Sequence, residues 1–169
     1  MKTRDFFILP LALGLLATCD DGPADDMIWD FACYEMRVEV VDEAGNDLLN
    51  PATAGNILDD SVRVVYGGVS YSRDTNLIQT RYLPPAPLAL RYYKVETTGQ
   101  YRMAFGEFTP TDDHENDAFT IEWGDGTADK VAFDCYISWD GDNQPTVHKK
   151  IYLNGEPMAG EDYLVRIVR

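Results

Sequence analysis

Apolar and polar residues alternate with a period of two along most of the chain, which is typical of strands that bury one face. The clearest run lies at residues 131–139 and another lies at residues 34–40. The apolar positions of the first run are Val131, Phe133, Cys135, Ile137 and Trp139. No segment shows a helical period of useful length. The pattern therefore predicts an all-β protein.

Turn sequences separate these alternating segments. Gly67-Gly68, Asp125-Gly126 and Asn154-Gly155 are dipeptides that accept the positive φ angles of tight hairpins. The stretch YLPPAPLAL contains three prolines, which cannot donate to a strand ladder, so it predicts a crossover between sheets. About nine strands at this short spacing predict an antiparallel, immunoglobulin-like β-sandwich.

The N-terminus follows a different pattern. Lys2 and Arg4 precede the apolar run FFILPLALGLLA, which is too short to span a bilayer and has the length of an export-signal core. Small residues then lead to Cys19, and this segment resembles the lipobox at which bacterial lipoproteins are cleaved and acylated. We predict a signal peptide at residues 1–18, an acidic disordered tether at residues 19–28 and a single domain at residues 29–169.

The lipobox resemblance implies a membrane anchor without a spanning helix. Acyl chains on Cys19 would hold a folded domain at a bilayer, with each buried methylene contributing about 0.8 kcal/mol. The stretch CDDGPADD resembles the export tag of Bacteroidetes surface lipoproteins, which implies an outer-membrane, cell-surface location. In other Gram-negative groups an aspartate at this place favours retention at the inner membrane. The alternative is an ordinary secretory signal followed by an unmodified cysteine.

The chain is strongly acidic, with 29 Asp and Glu against 14 Lys and Arg and a formal net charge of −15. A charge of this sign repels nucleic acid and anionic lipid headgroups, so neither is expected as a partner of the domain. An acidic surface also keeps an exported protein soluble, which is the simplest interpretation of the composition.

Two cysteines, Cys33 and Cys135, remain after the proposed anchor. An oxidising compartment favours a disulfide between them, which would close a loop of about 100 residues and stabilise the fold by up to about 4.7 kcal/mol. Alternation places Cys135 on the core face of its strand. The alternative is therefore that both thiols are buried as small hydrophobic groups.

Residue types that carry chemistry are sparse. The two histidines lack partners at zinc spacing, and no serine lies in a G-x-S-x-G elbow, so we expect no enzyme active site and no cofactor. A glycan hydrolase with paired carboxylates would be the exception, since their separation depends on the fold. Two oxygen-rich loops offer calcium ligands, although solvated hairpin tips explain them as well. The candidate ligands are Asp112, Asp113, Asp117, Asp140 and Asp142.

Four tyrosines are candidate ligand-binding residues because they lie out of phase with apolar neighbours or flank the proline-rich crossover. They are Tyr82, Tyr92, Tyr93 and Tyr136. Rings exposed on a sheet face could stack on sugars. The alternative is that they rim the core and keep their hydroxyl groups in water.

Several longer pieces resemble a family of small Bacteroidetes lipoproteins of unknown function. They are the opening WDFACYEM strand, the GNDLLNP turn, the WGDG hairpin and the LNG turn. The resemblance covers most of the mature chain and implies a β-sandwich, with no established catalytic residues to transfer. We predict an exported, lipid-anchored binding or scaffolding domain. The alternatives are a carbohydrate-binding accessory protein of a glycan-uptake system, and a structural component of a surface assembly that contacts another surface protein.

Overall fold

The computed structural model describes residues 29–58, 60–73, 88–159 and 163–169. Within it, Phe31–Arg169 form one compact unit. The predicted signal peptide, the tether with Cys19, and Tyr82 lie outside the described residues. In the part of the chain that is described, no helix has the length and apolar character needed to cross a membrane.

Ten strands and one turn of 3-10 helix make up the regular structure of the described residues. The strands are β1 Tyr34–Val41, β2 Arg63–Tyr66, β3 Val69–Ser72, β4 Leu90–Lys94, β5 Tyr101–Phe108, β6 His114–Glu122, β7 Ala128–Trp139, β8 Pro145–Leu153, β9 Glu156–Pro157 and β10 Leu164–Val168. The 3-10 turn, Pro110–Asp112, connects β5 to β6.

The strands form two sheets. Sheet A has the order β10-β1-β5-β4, and sheet B has the order β3-β2-β6-β7-β8-β9. Among these strands, only β1 and β10 pair in parallel. The predicted antiparallel β-sandwich is therefore confirmed, with ten strands instead of about nine. The additional strand is β9, whose two residues are too few to show alternation.

The core lies between the two sheets and is rich in aromatic rings. Phe108 and Phe133 approach to 4.6 Å between ring centroids, and Phe105 and Phe119 approach to 5.2 Å. Since Phe105 and Phe108 belong to sheet A and the other two rings to sheet B, these contacts join the sheets. Burying each ring contributes about 1.5 to 3 kcal/mol. Because a shift of one residue would turn these rings toward solvent, their burial also fixes the strand register.

One end of the sandwich, which we call the N-terminal end, brings together the start of β1 and parts of both sheets. Tyr34 at the start of β1 pairs with Phe108 at the end of β5. The carbonyl oxygen of Phe108 lies 4.0 Å from the Sγ atom of Cys135 on β7. Just before β10, the Tyr163 hydroxyl donates a hydrogen bond of 2.6 Å to the Asp134 carbonyl oxygen.

Gly106 allows β5 to bury both Phe105 and Phe108, which are three positions apart. In a regular strand such residues point to opposite faces, but the β1–β5 register shifts here, as in a β-bulge. Gly106 has a φ of +77°, and a Cβ atom at this position would lie 2.4 Å from the Phe108 ring. Only glycine fits this position without strain.

We expect Gly106→Ala to lower the free energy of unfolding by about 2 to 4 kcal/mol, since alanine would take a left-handed conformation and collide with Phe108. Equilibrium unfolding in urea measures this change. Gly141→Ala is the control, because Gly141 does not have a left-handed φ and a Cβ there meets open space. The control should change stability by less than about 0.5 kcal/mol, and equal losses in both variants would contradict the assignment.

Candidate functional site

An open cleft of about 570 Å³ lies at the N-terminal end of the sandwich. Its lining comes from the start of β1, the end of β5, the middle of β8 and the residue before β10. The lining residues are Cys33, Tyr34, Glu35, Arg37, Glu107, Lys149 and Tyr163. Since β8 belongs to sheet B and the other strands to sheet A, the cleft depends on both sheets.

The cleft lies beside the point where β10 begins to pair with β1. Leu164, the first residue of β10, pairs with Arg37, so in the described residues no strand pairs with β1 before Arg37 on this side. The Arg37 backbone N–H donates a 2.8 Å hydrogen bond to the Tyr163 carbonyl oxygen. This bond lies at the end of the cleft where β1 and β10 begin to pair. The cleft occupies the edge of β1 that β10 does not cover.

Two tyrosine rings and a lysine meet in the cleft. The ring centroids of Tyr34 and Tyr163 lie 5.2 Å apart. Tyr163 is only 2% exposed, and this burial raises the pKa of its hydroxyl, which therefore stays neutral while it donates to Asp134. The Nζ atom of Lys149 lies 5.1 Å from the centroid of the Tyr34 ring, within the range of a cation–π contact.

The charged groups of the cleft are unequally paired. Arg91 donates a hydrogen bond to Glu35, and its Nη1 atom lies 3.8 Å from a Glu107 carboxylate oxygen. One guanidinium thus serves two carboxylates. Lys149 differs, because among the described residues no carboxylate lies within 4.0 Å of its ammonium group. The ammonium is held against an aromatic ring instead.

The two cysteines flank this site and are both free thiols in the structure. Cys33 is exposed at the cleft, and Cys135 is fully buried next to Phe108. Burial raises the pKa of the Cys135 thiol, so this group resists ionisation. The alternative of buried hydrophobic thiols fits Cys135 and fails for Cys33. The disulfide between them stays a prediction.

The candidate tyrosines do not share one surface. Tyr92 packs against the core beneath the Arg73 guanidinium, and desolvation by burial raises its pKa to about 12. Tyr93 is the next residue on β4 and therefore points to the outer face of sheet A. Tyr136 lies on the outer face of sheet B. A single sugar-stacking platform of these residues is not present in the described structure.

Tyr136 has a partner that the sequence did not indicate. Its ring stacks on His148, with the centroids 4.5 Å apart and an interplanar angle of 14°. The Nε2 atom of His148 lies 2.7 Å from the Ser138 hydroxyl oxygen. This serine–histidine pair lies on the outer face of sheet B, away from the cleft, and in the described residues no carboxylate orients the imidazole as a catalytic triad requires.

The candidate calcium ligands do not converge. Within the described ranges, no group of three or more His, Cys, Asp or Glu residues could hold a metal ion. Asp140 accepts hydrogen bonds from the backbone N–H groups of Asp142 and Gln144, at 2.9 and 2.8 Å, and so closes the β7–β8 hairpin. Asp112 and Asp113 belong to the 3-10 turn and its C-terminal cap. The solvated-turn interpretation fits these carboxylates.

Asp117 takes part in a cluster that joins β2 to β6. The Tyr66 hydroxyl donates a 2.6 Å hydrogen bond to Asp117 Oδ2, and His114 Nδ1 lies 2.9 Å from the same atom. Burial opposes ionisation of Asp117, but the hydrogen bonds from Tyr66 and His114 outweigh it and hold the carboxyl pKa below its ordinary value. Tyr66 is 51 positions away, so no local motif could reveal this cluster.

No family model matches the chain, and comparison with curated proteins and with solved structures gives no match either. The site must therefore be interpreted from its own geometry.

We expect iodoacetamide to modify Cys33 in the native protein at least about 100-fold faster than Cys135, because only the first thiol is exposed. Mass spectrometry of the two cysteine-containing peptides measures both rates. Denaturant should make the rates similar. Protection of both thiols until a reductant is added would instead establish the disulfide.

We expect Asp117→Asn to destabilise the fold by about 1 to 3 kcal/mol at pH 7, because it weakens the hydrogen bonds of Tyr66 and His114. The folded-state pKa of Asp117 lies below that of the unfolded chain. Its ionised form therefore stabilises the fold above about pH 4, and this contribution is lost as the pH falls through the folded-state pKa. Urea unfolding at several pH values should show the difference between wild type and variant shrinking toward pH 2.5.

Asp142→Asn is the matched control for charge, since Asp142 is exposed in the β7–β8 turn. It should leave stability within about 0.5 kcal/mol of wild type at pH 7. Equal effects of the two substitutions would show that the cluster around Asp117 adds nothing beyond surface charge.

Proposed function

We propose that the protein is an exported, lipid-anchored binding module that uses the cleft at its N-terminal end. The observation that carries the proposed binding role is the cleft itself. Its volume of about 570 Å³ lies within the roughly 300 to 1,000 Å³ typical of small-ligand sites. It combines two tyrosine rings with charged groups from both sheets, and polar groups that converge in this way can fix the orientation of a ligand.

Recognition fits the geometry better than catalysis. The described residues bring together no metal-binding group, and the Ser138–His148 pair lies outside the cleft. The half-buried Tyr66–Asp117–His114 cluster joins strands within the sandwich and does not line the cleft. The proposed binding role is therefore assigned to the cleft.

The lipobox-like segment that ends at Cys19 supports anchoring at the outer membrane, on the cell surface. About 12 residues separate Cys19 from Phe31, the first residue of the compact unit. A fully extended chain of this length reaches about 40 Å. Since β1 begins at the cleft, an anchor at Cys19 would attach the sandwich at the end that contains the proposed binding site.

A carbohydrate-binding accessory protein is the second candidate function, and one residue outside the predicted set favours it. Trp139 at the end of β7 is 52% exposed, and the Phe31 ring meets it edge-on at 6.3 Å. An exposed indole beside polar turn residues can stack on a sugar ring. A scaffolding role has less support, since on the described strands the other large exposed apolar side chains, Val69 and Val168, lie on the separate strands β3 and β10.

We expect Cys19→Ala to abolish incorporation of labelled palmitate in the bacterial host and to release the protein from the membrane fraction. Cys33→Ala is the matched control, because it removes another cysteine of the same chain and leaves the lipobox intact. The control should be labelled like wild type. Undiminished labelling of Cys19→Ala would overturn the anchor.

A further inference from the structure

We infer that the cleft binds a ligand through a carboxylate group, with the Lys149 ammonium as its ion-pair partner and the Tyr34 ring beside it. This inference rests on the proposed binding function and names the chemistry of the ligand. The carboxylate could belong to a hexuronic acid unit of a polysaccharide or to a small organic acid, and both sources share the same recognition chemistry.

The first argument is the direction of Lys149. In the β7–β8 register Lys149 lies opposite Cys135, whose side chain is buried, so Lys149 points toward the inner side of sheet B. Its neighbour Lys150 lies opposite Asp134, on the other face of the strand, and is exposed. Two adjacent lysines therefore have different surroundings, and only Lys149 lines the cleft.

The second argument is the unmatched charge of Lys149. The Lys149 ammonium keeps contact with solvent, because no buried side-chain nitrogen or oxygen of the described residues lacks a hydrogen-bond partner, so a ligand can reach it. Among the described residues Lys149 has the Tyr34 ring and no carboxylate within 4.0 Å. A cation–π contact contributes about 0.5 to 2 kcal/mol and leaves the N–H donors of the ammonium unused. A ligand carboxylate would accept those donors in a charge-assisted hydrogen bond.

The third argument is the charge balance around the cleft. The chain carries a formal net charge of −15, so most of its surface disfavours anions. At the cleft, Arg37 and Lys149 line the same space as Glu35 and Glu107, and Arg91 contacts both glutamates. Among the described residues, Lys149 is thus a cation of the cleft that no carboxylate within 4.0 Å neutralises. The acidic surface around the cleft would repel highly charged polyanions and so favour small ligands with one or two carboxylates.

The test is a titration of the full-length protein, purified in non-ionic detergent, with four probes measured by calorimetry: D-glucuronate, D-galacturonate, succinate and D-glucose. We expect the uronates to bind and glucose not to bind. Lys149→Met should weaken uronate binding about 10- to 100-fold, whereas Lys149→Arg should retain most of it. Urea unfolding of each variant confirms that the sandwich is intact.

Lys150→Met is the matched control, because it removes the same charge from the adjacent residue on the outer face. It should leave the uronate affinity within about twofold of wild type. Succinate binding as tight as that of the uronates would identify a small organic acid as the ligand source and support the inference. The inference would be overturned if neither the uronates nor succinate bind, or if glucose binds as tightly as they do. Equal losses of uronate affinity in the two lysine variants would also overturn it.

The binding experiment and the acylation experiment can fail independently of each other. A protein that is acylated at Cys19 and binds neutral glycans but no carboxylate would refute the ligand class and leave an anchored binding module. A protein that binds uronates through Lys149 without acylation at Cys19 would support the ligand class and refute the anchor.

Discussion

The packing of Phe108 between the two sheets is the contact on which the N-terminal end of the molecule depends. Its ring meets Phe133 of sheet B at 4.6 Å and Tyr66 at 5.6 Å, while its backbone pairs with Tyr34 at the start of β1. The bulge at Gly106 turns this ring inward. Without the bulge, the Phe108 side chain would point toward solvent. Tyr34 would then lose the pairing with the end of β5 that places it at the cleft. The position of Tyr34 at the cleft therefore depends on the packing of the core.

The cleft lies where the described pairing of β10 with β1 begins. Leu164 pairs with Arg37, and among the described residues no strand pairs with the first part of β1 on this side. On sheet A, ion pairs fix long charged side chains: Arg91 holds Glu35 beside the cleft, and farther along β1 Arg102 makes two hydrogen bonds to Glu39, at 2.6 and 2.9 Å. Such pairs at a surface contribute little stability, typically about 0 to 1 kcal/mol. Glu35 and Glu107 at the cleft are thus both paired with Arg91, whereas Lys149 has no carboxylate within 4.0 Å among the described residues.

Alternation was enough to predict the sandwich, because strand parity is local information that each segment carries by itself. It placed Phe133 and Cys135 in the core, where they are fully buried. It could not predict the cleft, since Tyr34 and Tyr163 are far apart in sequence and meet only through the parallel pairing of β1 with β10. Strand parity also argues against a shared binding surface for the candidate tyrosines, because Tyr92 and Tyr93 are adjacent on a strand and so point to opposite faces.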